Sequence, residues 1–590
     1  MEVAVRKRNK FGLALSGGGF RASFFHIGVL ARLAEIDLLR SVEVISTVSG
    51  GSIIGALYYL RVKKLLESAP DDKITPGDYV AMVQSIEEDF LEGVQHNLRT
   101  RAYADFGKNL KMINGREFSR SDRMAELYDE CFYDRVSDHP RICMSELKIH
   151  PPGEPANFNP RAHNKNRNAK VPALIINATT LNSGRNWQFS VVDAGEHEPD
   201  THFEHEQADE YDKSILFRAF RYDAKKLPDK YRRIPLSVAV AASASVPGIF
   251  PPLPLTDLYP DVTPKLVDGG VFDNQGTSAL VYEECTDLLI SDASGQMSDE
   301  LKPPSNLISV LLRTNSVEMD RIRDSGFGLL RGLKKAREIH RFQSLHLKHD
   351  FDVDKINPTE RAKDASELAR SDHLTYGMNG EVQLRLSQLR TDLDSFTEVE
   401  GTSVMESGYA LARAKIPLQW QTDFKAKKTF VDNLRKQHRQ LWRFQEIQSY
   451  AEAPYADAVY ARQLLVGQQT MFKAFRLMPR LIPLGVVIAI VALACPAILL
   501  GALWYMISYF SSWDVVLAIL VVSLGIGLIA AGVSRKWLKT FWEDFVLQYV
   551  VTICVAFFGS LAAKLHLAWI DPKFLANGTI RNLRESRRDK

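Results

Sequence analysis

The 590-residue chain has only five cysteines, Cys131, Cys143, Cys285, Cys495 and Cys554, and none stands in CxxC spacing. An odd, scattered set excludes a disulfide framework and a zinc site, and suits a reducing compartment. The net charge is just +3, so no global polyanion-binding signature is present and no nucleic-acid partner is expected. Internal repeats and long low-complexity tracts are absent. Neither Gly-x-x-x-x-Gly-Lys-Ser/Thr nor Gly-x-Gly-x-x-Gly occurs, which removes the usual nucleotide loops. Arg6, Lys7, Arg8 and Lys10 imitate the start of a signal peptide, but the apolar run behind them is short and breaks at Gly17.

What remains is ordinary in bulk and distinctive in detail. Hydrophobic residues make up 45% and charged residues 25%, as in folded globular chains, and the length calls for two or three domains. Phe11–Leu15 reads as a short strand stopping at Gly17-Gly18-Gly19, and Phe20–Glu35 as a helix with Phe24, Ile27, Leu30, Leu33 and Ala34 on one face. Val42–Thr47 is a second strand, ending at Ser49, and Ile53–Leu66 a second helix. This β-turn-α-β-turn-α rhythm predicts an α/β fold with a mainly parallel sheet, whose functional loops lie at the carboxyl ends of the strands. Residues 70–150 are mixed and mostly helical in pattern, Pro151–Lys170 reads as a loop, and Val171–Asn177 and Trp187–Val192 as strands. Leu288–Ser291 and Leu307–Leu312 look like further strands, with charged helical sequence beyond Val317.

Three motifs carry chemistry. Ser49, in Thr47-Val48-Ser49-Gly50-Gly51, sits where a strand turns into a helix; there a serine is lifted clear of the backbone and the helix N-terminus favours developing negative charge. A plain Ser N-cap is the bland alternative, and Ser52 the competing serine. Gly17, Gly18 and Gly19 present consecutive backbone N–H groups, a nest suited to an oxyanion or a phosphate. Arg21, one turn on, fixes that loop or attracts a phosphate headgroup, the first role being favoured. Asp268, in Lys265-Leu266-Val267-Asp268-Gly269-Gly270, ends a strand and is placed to take a proton from Ser49 without histidine. An Asx turn is its structural alternative, and Asp273 the rival base. A Ser-His-Asp triad is disfavoured, because His26 lies on the first helix and His340, His346 and His349 fall in charged helical sequence, none after a strand.

The C-terminal part differs in character. Lys425–Arg443 carries seven Lys or Arg against Asp432 alone, with Phe430, Leu434, Leu441 and Phe444 at helical spacing. It reads either as a solvated helix packed on the domain before it or as a helix on an anionic membrane surface. Leu481–Trp513 and Val515–Ser534 contain no charged residue, long enough for membrane-spanning helices. Phe545–Ala563 is a third uncharged run that spans or lies at the interface. Arg476 and Arg480 before the first run, and Arg535, Lys536 and Lys539 after the second, orient the N-terminal part toward the cytoplasm. The basic tail of Arg581, Arg584, Arg587 and Arg588 conflicts with a third full crossing.

Gly17-Gly18-Gly19-Phe20-Arg21, Ser49-Gly50-Gly51 and Asp268-Gly269-Gly270, in that order, resemble the patatin-like phospholipases. Asn177-Ala178-Thr179, Ser243-Ala244-Ser245-Val246-Pro247 and Arg390-Thr391-Asp392-Leu393-Asp394 are similar too, so the likeness covers roughly residues 8–415. The resemblance implies a three-layer α/β/α fold and a Ser–Asp dyad, with Ser49 as nucleophile, Asp268 as base and Gly17, Gly18 and Gly19 as the oxyanion hole. It implies no metal and no cofactor. Thr47 stands where the family carries glycine. The expectation is a catalytic domain over 1–415 with a helical insertion at about 70–170, a basic amphipathic connector over 416–475, and a membrane anchor with basic tail over 476–590. Its expected activity is that of a phospholipase A or lysophospholipase, cleaving acyl esters of membrane lipids at the cytoplasmic face. Alternatives are a neutral-lipid or thioester hydrolase with the same dyad, or an inactive membrane scaffold of the same fold.

Overall fold

The computed structural model describes residues 8–114, 118–197, 217–295, 303, 305–348, 374–424, 441–452, 458–470, 473–490, 501 and 547–588. Its strands are β1 (Phe11–Leu15), β2 (Val42–Val48), β3 (Ala173–Thr180), β4 (Asn186–Phe189), β5 (Asp193–Glu196), β6 (Phe220–Arg221), β7 (Leu253–Pro254), β8 (Lys265–Asp268), β9 (Asp287–Asp292) and β10 (Arg341–His346). The helices used below are α1 (Gly19–Glu35), α2 (Gly50–Ser68), α3 (Pro76–Gln95), α4 (Phe106–Asn114), α5 (Leu236–Ser243), α6 (Gly270–Asp273), α7 (Thr277–Tyr282), α8 (Leu307–Lys335), α9 (Glu398–Lys415) and α10 (Leu547–Leu565).

One sheet runs β10-β9-β1-β2-β3-β4-β5-β6, with β8 and β7 branching from β3. The first five strands of this order are mutually parallel and the remainder antiparallel. A parallel strand is covered on both faces, which is why β1, β2 and β9 are buried at every residue. On one face Ala14, Val44, Ile175, Leu288 and Ile290 pack with Ala279 and Leu280 of α7 and Leu330 of α8. The other face carries α1, α2 and α9. Here α1 and α9 approach to backbone contact, since a Cβ on Gly28 would lie 2.7 Å from the Tyr409 amide nitrogen. The Tyr409 hydroxyl donates to Glu35 at 2.6 Å across the same contact. The result is a three-layer α/β arrangement around a mostly parallel sheet. A capping box between Thr75 and Asp78 starts α3, in the stretch read as helical.

Two expectations fail here. Leu307–Leu312 is not a strand but the first turns of the 29-residue α8, whose N-cap Asn306 accepts from the Ser309 amide at 3.0 Å. The outer place beside β9 is taken by Arg341–His346, which the charged pattern had suggested was helical. An edge strand needs little apolar alternation, and this one leaves its first four residues half-buried.

The chain divides into two compact units, 1–98 with 120–473 and 575–590, and 99–119 with 474–574. In the second, α4 meets α10 through Asn109, which donates to the Ser560 hydroxyl at 2.7 Å, and through an edge contact of Phe106 with Phe557. Among the described residues no helix is long and apolar enough to cross a membrane, α10 included. Of the uncharged run Leu481–Trp513 only 481–490 and 501 are described, and Val515–Ser534 lies outside the described residues, as do 425–440 of the basic stretch.

Candidate active site

The carboxyl end of β3 explains how distant motifs meet. β2 runs beside β3 up to the pair Val48–Asn177, then leaves the sheet at Ser49 to begin α2. The next place along β3, opposite Ala178, is taken by Asp268, the last residue of β8 arriving antiparallel. The ends of β2 and β8 therefore meet head to head on one neighbour. Ser49 and Asp268 are brought together although 219 positions separate them (268 minus 49).

Ser49 has φ 51° and ψ −118°, a conformation that costs a residue with a side chain about 1–3 kcal/mol. Neighbouring hydroxyls hold it. The Ser49 amide donates to Ser243 Oγ at 2.9 Å, and Ser243 Oγ donates to the Asn177 carbonyl at 2.6 Å. Ser52 Oγ joins Thr47 Oγ1 at 3.0 Å and Ser243 Oγ at 2.8 Å, and is fully buried, so the competing serine belongs to the framework of the turn. Thr47 fits where a glycine was expected because its methyl packs on Gly55, where a Cβ would stand 2.5 Å away.

Asp268 is fixed by its amide to the Ser245 carbonyl at 2.9 Å, and Gly269 by its amide to the Ser243 carbonyl at 3.2 Å. Oδ1 accepts from the Gly270 amide at 2.7 Å. Burial raises the carboxyl pKa to about 6, and the Ser49 hydroxyl and the Gly270 amide offset only part of that rise. Oδ2 is buried without a fully formed hydrogen bond, so the serine interacts with this carboxylate but does not saturate it. Asp273, by contrast, is saturated: Oδ1 accepts from the Gln275 and Gly276 amides at 3.1 Å and Oδ2 from the Ser278 amide at 2.8 Å. It caps the turn into α7.

The glycine loop lies against this pair. Gly18 at φ 136° and Gly19 at φ 57° adopt conformations that favour glycine, at the start of the 17-residue α1. Among the described residues their amides have no hydrogen-bond partner, whereas the Gly17 amide already donates to the Asn274 carbonyl at 3.0 Å. The free donors are thus those of Gly18 and Gly19, and Gly17 supplies close approach. Arg21 points away from the cleft: Nη1 donates to the Ser387 and Leu389 carbonyls at 2.7 and 2.8 Å, and Nη2 to the Ala293 carbonyl at 3.0 Å. Burial brings its pKa down to about 10 against the pull of Asp292. These bonds tie the first turn of α1 to the carbonyls of Ser387, Leu389 and Ala293.

The histidines are placed elsewhere. His26 bridges Ser291 Oγ at 2.6 Å and the Ser16 carbonyl at 2.9 Å, and burial lowers its pKa to about 4. His346 does end a strand, contrary to expectation, but at β10 beside Asp292, where burial likewise lowers its pKa to about 4. Among the described residues no group of three or more His, Cys, Asp or Glu is placed to hold a metal ion. Sequence reasoning missed the support given by Ser243, Asn177 and Asn274. The first two stood in stretches noted for resemblance alone, and Asn274 directly follows the rival Asp273.

Residues 13–281 match the family model described as patatin-like phospholipase. No curated protein matches the chain. Among solved structures, human GIVD cytosolic phospholipase A2, in complex with the inhibitor methyl gamma-linolenyl fluorophosphonate and terbium chloride, is similar at 12% identity and a TM-score of 0.38. The match covers 72% of this chain and 59% of that one. VipD from Legionella pneumophila is similar at 11% identity and a TM-score of 0.24, over 72% of this chain and 92% of its own. The likeness to the patatin-like phospholipases is thus carried by residues 13–281, a little under half of the chain.

Proposed function

We propose that this protein hydrolyses acyl esters of lipids, phospholipids first among them, with Ser49 as nucleophile and Asp268 as base. The Ser49 oxygen attacks the ester carbonyl while its proton passes to Asp268. The carbonyl electron pair moves onto oxygen, where the Gly18 and Gly19 amides and the positive end of α1 stabilise it. Collapse expels the alcohol, which takes the proton back from Asp268, and water releases the fatty acid by the reverse sequence. A base must be ionised to accept and not so acidic that it refuses; a carboxyl near pH 6 meets both needs.

The observation that carries this reading is the meeting of the β2 and β8 ends on β3, beside two loop amides that have no hydrogen-bond partner among the described residues. Val246, Ile249 and Phe272, exposed by 36%, 55% and 38%, flank the segments that hold Asp268 and supply an apolar fringe for acyl chains. Membrane tethering through Leu481–Trp513 and Val515–Ser534, with the catalytic part on the cytoplasmic side, rests on the uncharged sequence; it would confine the enzyme beside its substrate and raise effective concentration. A reporter fused after Lys590 tests that topology.

The deciding assay is fatty-acid release from defined phospholipids and triacylglycerols by wild type, Ser49→Ala and Asp268→Ala. Release from phospholipid that disappears in both variants supports the proposal. Release that survives Ser49→Ala unchanged contradicts it, and preference for triacylglycerol or thioester would move the substrate class while keeping the dyad.

A further inference from the structure

Arg390-Thr391-Asp392-Leu393-Asp394 lies outside the dyad and the glycine loop, yet its backbone packs against that loop. A Cβ on Gly19 would stand 2.5 Å from the Thr391 carbonyl oxygen and 3.1 Å from that of Asp392. The Phe20 amide donates to the Asp392 carbonyl at 3.4 Å. Arg21 Nη1 reaches the Ser387 and Leu389 carbonyls just ahead of the motif. Three successive residues, Gly19, Phe20 and Arg21, are thus seated on one segment, 387–392. The direction of the Gly18 and Gly19 amides follows from where that segment lies.

A buried cluster of four charges fixes the segment. Arg390 Nε donates to Asp394 Oδ1 at 2.7 Å, and Nη1 to Glu400 Oε1 and the Gly467 carbonyl, both at 2.6 Å. Its Nη2 donates to the Ser395 carbonyl at 2.7 Å. Lys473 Nζ lies 2.7 Å from Asp394 Oδ2 and donates to the same Ser395 carbonyl. All four charged side chains are buried, two cations against two carboxylates, so no charge is left uncompensated. The Arg390 guanidinium also lies 4.0 Å from the centre of the Phe396 ring, which meets Phe20 edge-on at 6.5 Å. Glu400 closes the capping box of α9, its Oε2 accepting from the Thr397 amide at 2.7 Å. The cluster therefore reaches the glycine loop by two routes, the 391–392 backbone and the Phe396 ring. Lys473 joins it from far along the chain, as the last residue before the second compact unit.

We infer that Arg390 is a positioning residue for the oxyanion hole, aiming the Gly18 and Gly19 amides through Thr391, Asp392 and Phe396, with Asp394, Glu400 and Lys473 holding it in turn. This inference rests on the dyad reading above, in which those two amides meet the tetrahedral oxyanion. A hole works by being aimed before charge develops, so a displaced loop weakens transition-state binding more than substrate binding. A guanidinium suits the task because its planar fork joins two carboxylates and two carbonyls at once, which a compact ammonium does not. Lys473 extends the same dependence to the point where the chain leaves the first unit.

The test compares wild type, Arg390→Gln, Arg390→Lys, the charge-balanced double variant Lys473→Met with Asp394→Leu, and Arg40→Gln on a soluble nitrophenyl acyl ester. Arg40 is the control, a buried arginine bonded to Asp37 at 2.5 and 2.6 Å, just before the end of β2 opposite Ser49. Thermal melting gives the folded fraction, rates are taken per folded molecule well below each midpoint, and a fluorophosphonate labels Ser49. The expected result is a kcat loss of about 10²-fold in Arg390→Gln with KM within a few-fold, near the worth of one oxyanion donor. The midpoint of its pH–rate profile should stay that of wild type, because Asp268 is untouched. Arg390→Lys and the double variant should lose about tenfold, and Arg40→Gln less than about threefold although it melts lower. Folded Arg390→Gln with kcat within about threefold of wild type overturns the inference. A loss confined to KM, or an equal loss in Arg40→Gln, overturns it as well. If Arg390→Gln does not fold, the double variant decides by the same criteria. Wild type that turns over and labels at Ser49 keeps the dyad in each of these cases, and wild type that does neither overturns the dyad and this inference together.

Discussion

Asp268 and Asp292 are both buried carboxylates at the carboxyl ends of strands in one sheet, and they are treated in opposite ways. Asp268 has one amide on Oδ1, an incompletely engaged Ser49 hydroxyl, and a pKa pushed up by burial to about 6. Burial pushes Asp292 up as well, but His346, Ser294 and Gln275 more than offset it and hold the carboxylate below the usual range. The Ser294 amide donates to its Oδ1 at 3.0 Å and Gln275 Nε2 to its Oδ2 at 3.2 Å. Partners, not depth, decide whether a buried acid is a reactive base or a structural anion. The under-solvated one is the one that faces a strained serine.

The sharpest way to break this comparison is to neutralise each acid. Asp268→Asn should lower acyl-ester turnover by at least about 10³-fold while the protein remains folded, by the logic of removing one member of a unit that works together. Asp292→Asn should do the reverse, keeping turnover in the folded fraction but losing a few kcal/mol of stability in urea melts as its hydrogen-bonded network is cut. Equal loss of activity in both would erase the distinction.

Next in size is the effect of the loop. Gly19→Ala meets a φ of 57° and a Cβ position 2.5 Å from the Thr391 carbonyl oxygen, so the loop must shift. Steady-state kinetics should show kcat down by about 10²-fold or more, near the worth of one oxyanion donor.

The pH dependence sharpens the comparison further. If Asp268 is the base as proposed, its ionised form is the active one, and kcat/KM should rise with pH through an apparent pKa near 6 and level above it. For stability the sign is opposite: the folded state holds this proton more tightly than the unfolded chain, so stability present below pH 4 is lost as pH rises through 6. A shift from 3.8 to about 6 corresponds to about 3 kcal/mol at most, so Asp268→Asn should melt higher than wild type at pH 7.5 and equally at pH 4. Asp292 behaves conversely, its contribution present above the unfolded carboxyl pKa and lost as pH falls through its lowered folded value. The smallest effect is expected for His26→Gln, whose wild-type ring burial keeps neutral at pH 7; activity should change less than about tenfold.

The inner sheet was legible because its strands obey a simple pattern. Phe11–Leu15 is a continuous apolar run and Val42–Val48 is rich in β-branched residues; each ends in a glycine or serine turn, and both motifs fall on those turns. The outer sheet was not. Arg341–His346 is an edge strand with polar residues, and Leu307 and Leu311, apolar yet exposed by 75% and 61%, imitate a strand where a helix begins. At the site, Ser49, Asp268 and the glycines could be named because their residue types announce chemistry. The fitting of Asn274 against Gly17 and Gly270 could not, since it depends on three chain segments converging in space. Nor could the spent Gly17 amide be foreseen, because a loop's sequence does not say which of its N–H groups is already bonded.

The most direct measurement is the rate of Ser49 phosphonylation by a fluorophosphonate, followed by intact-protein and peptide mass spectrometry from pH 4.5 to 8. The account predicts a single adduct on Ser49, forming faster as pH rises through about 6 and nearly abolished in folded Asp268→Asn. An adduct on another residue, a rate indifferent to pH, or undiminished labelling in Asp268→Asn would contradict it.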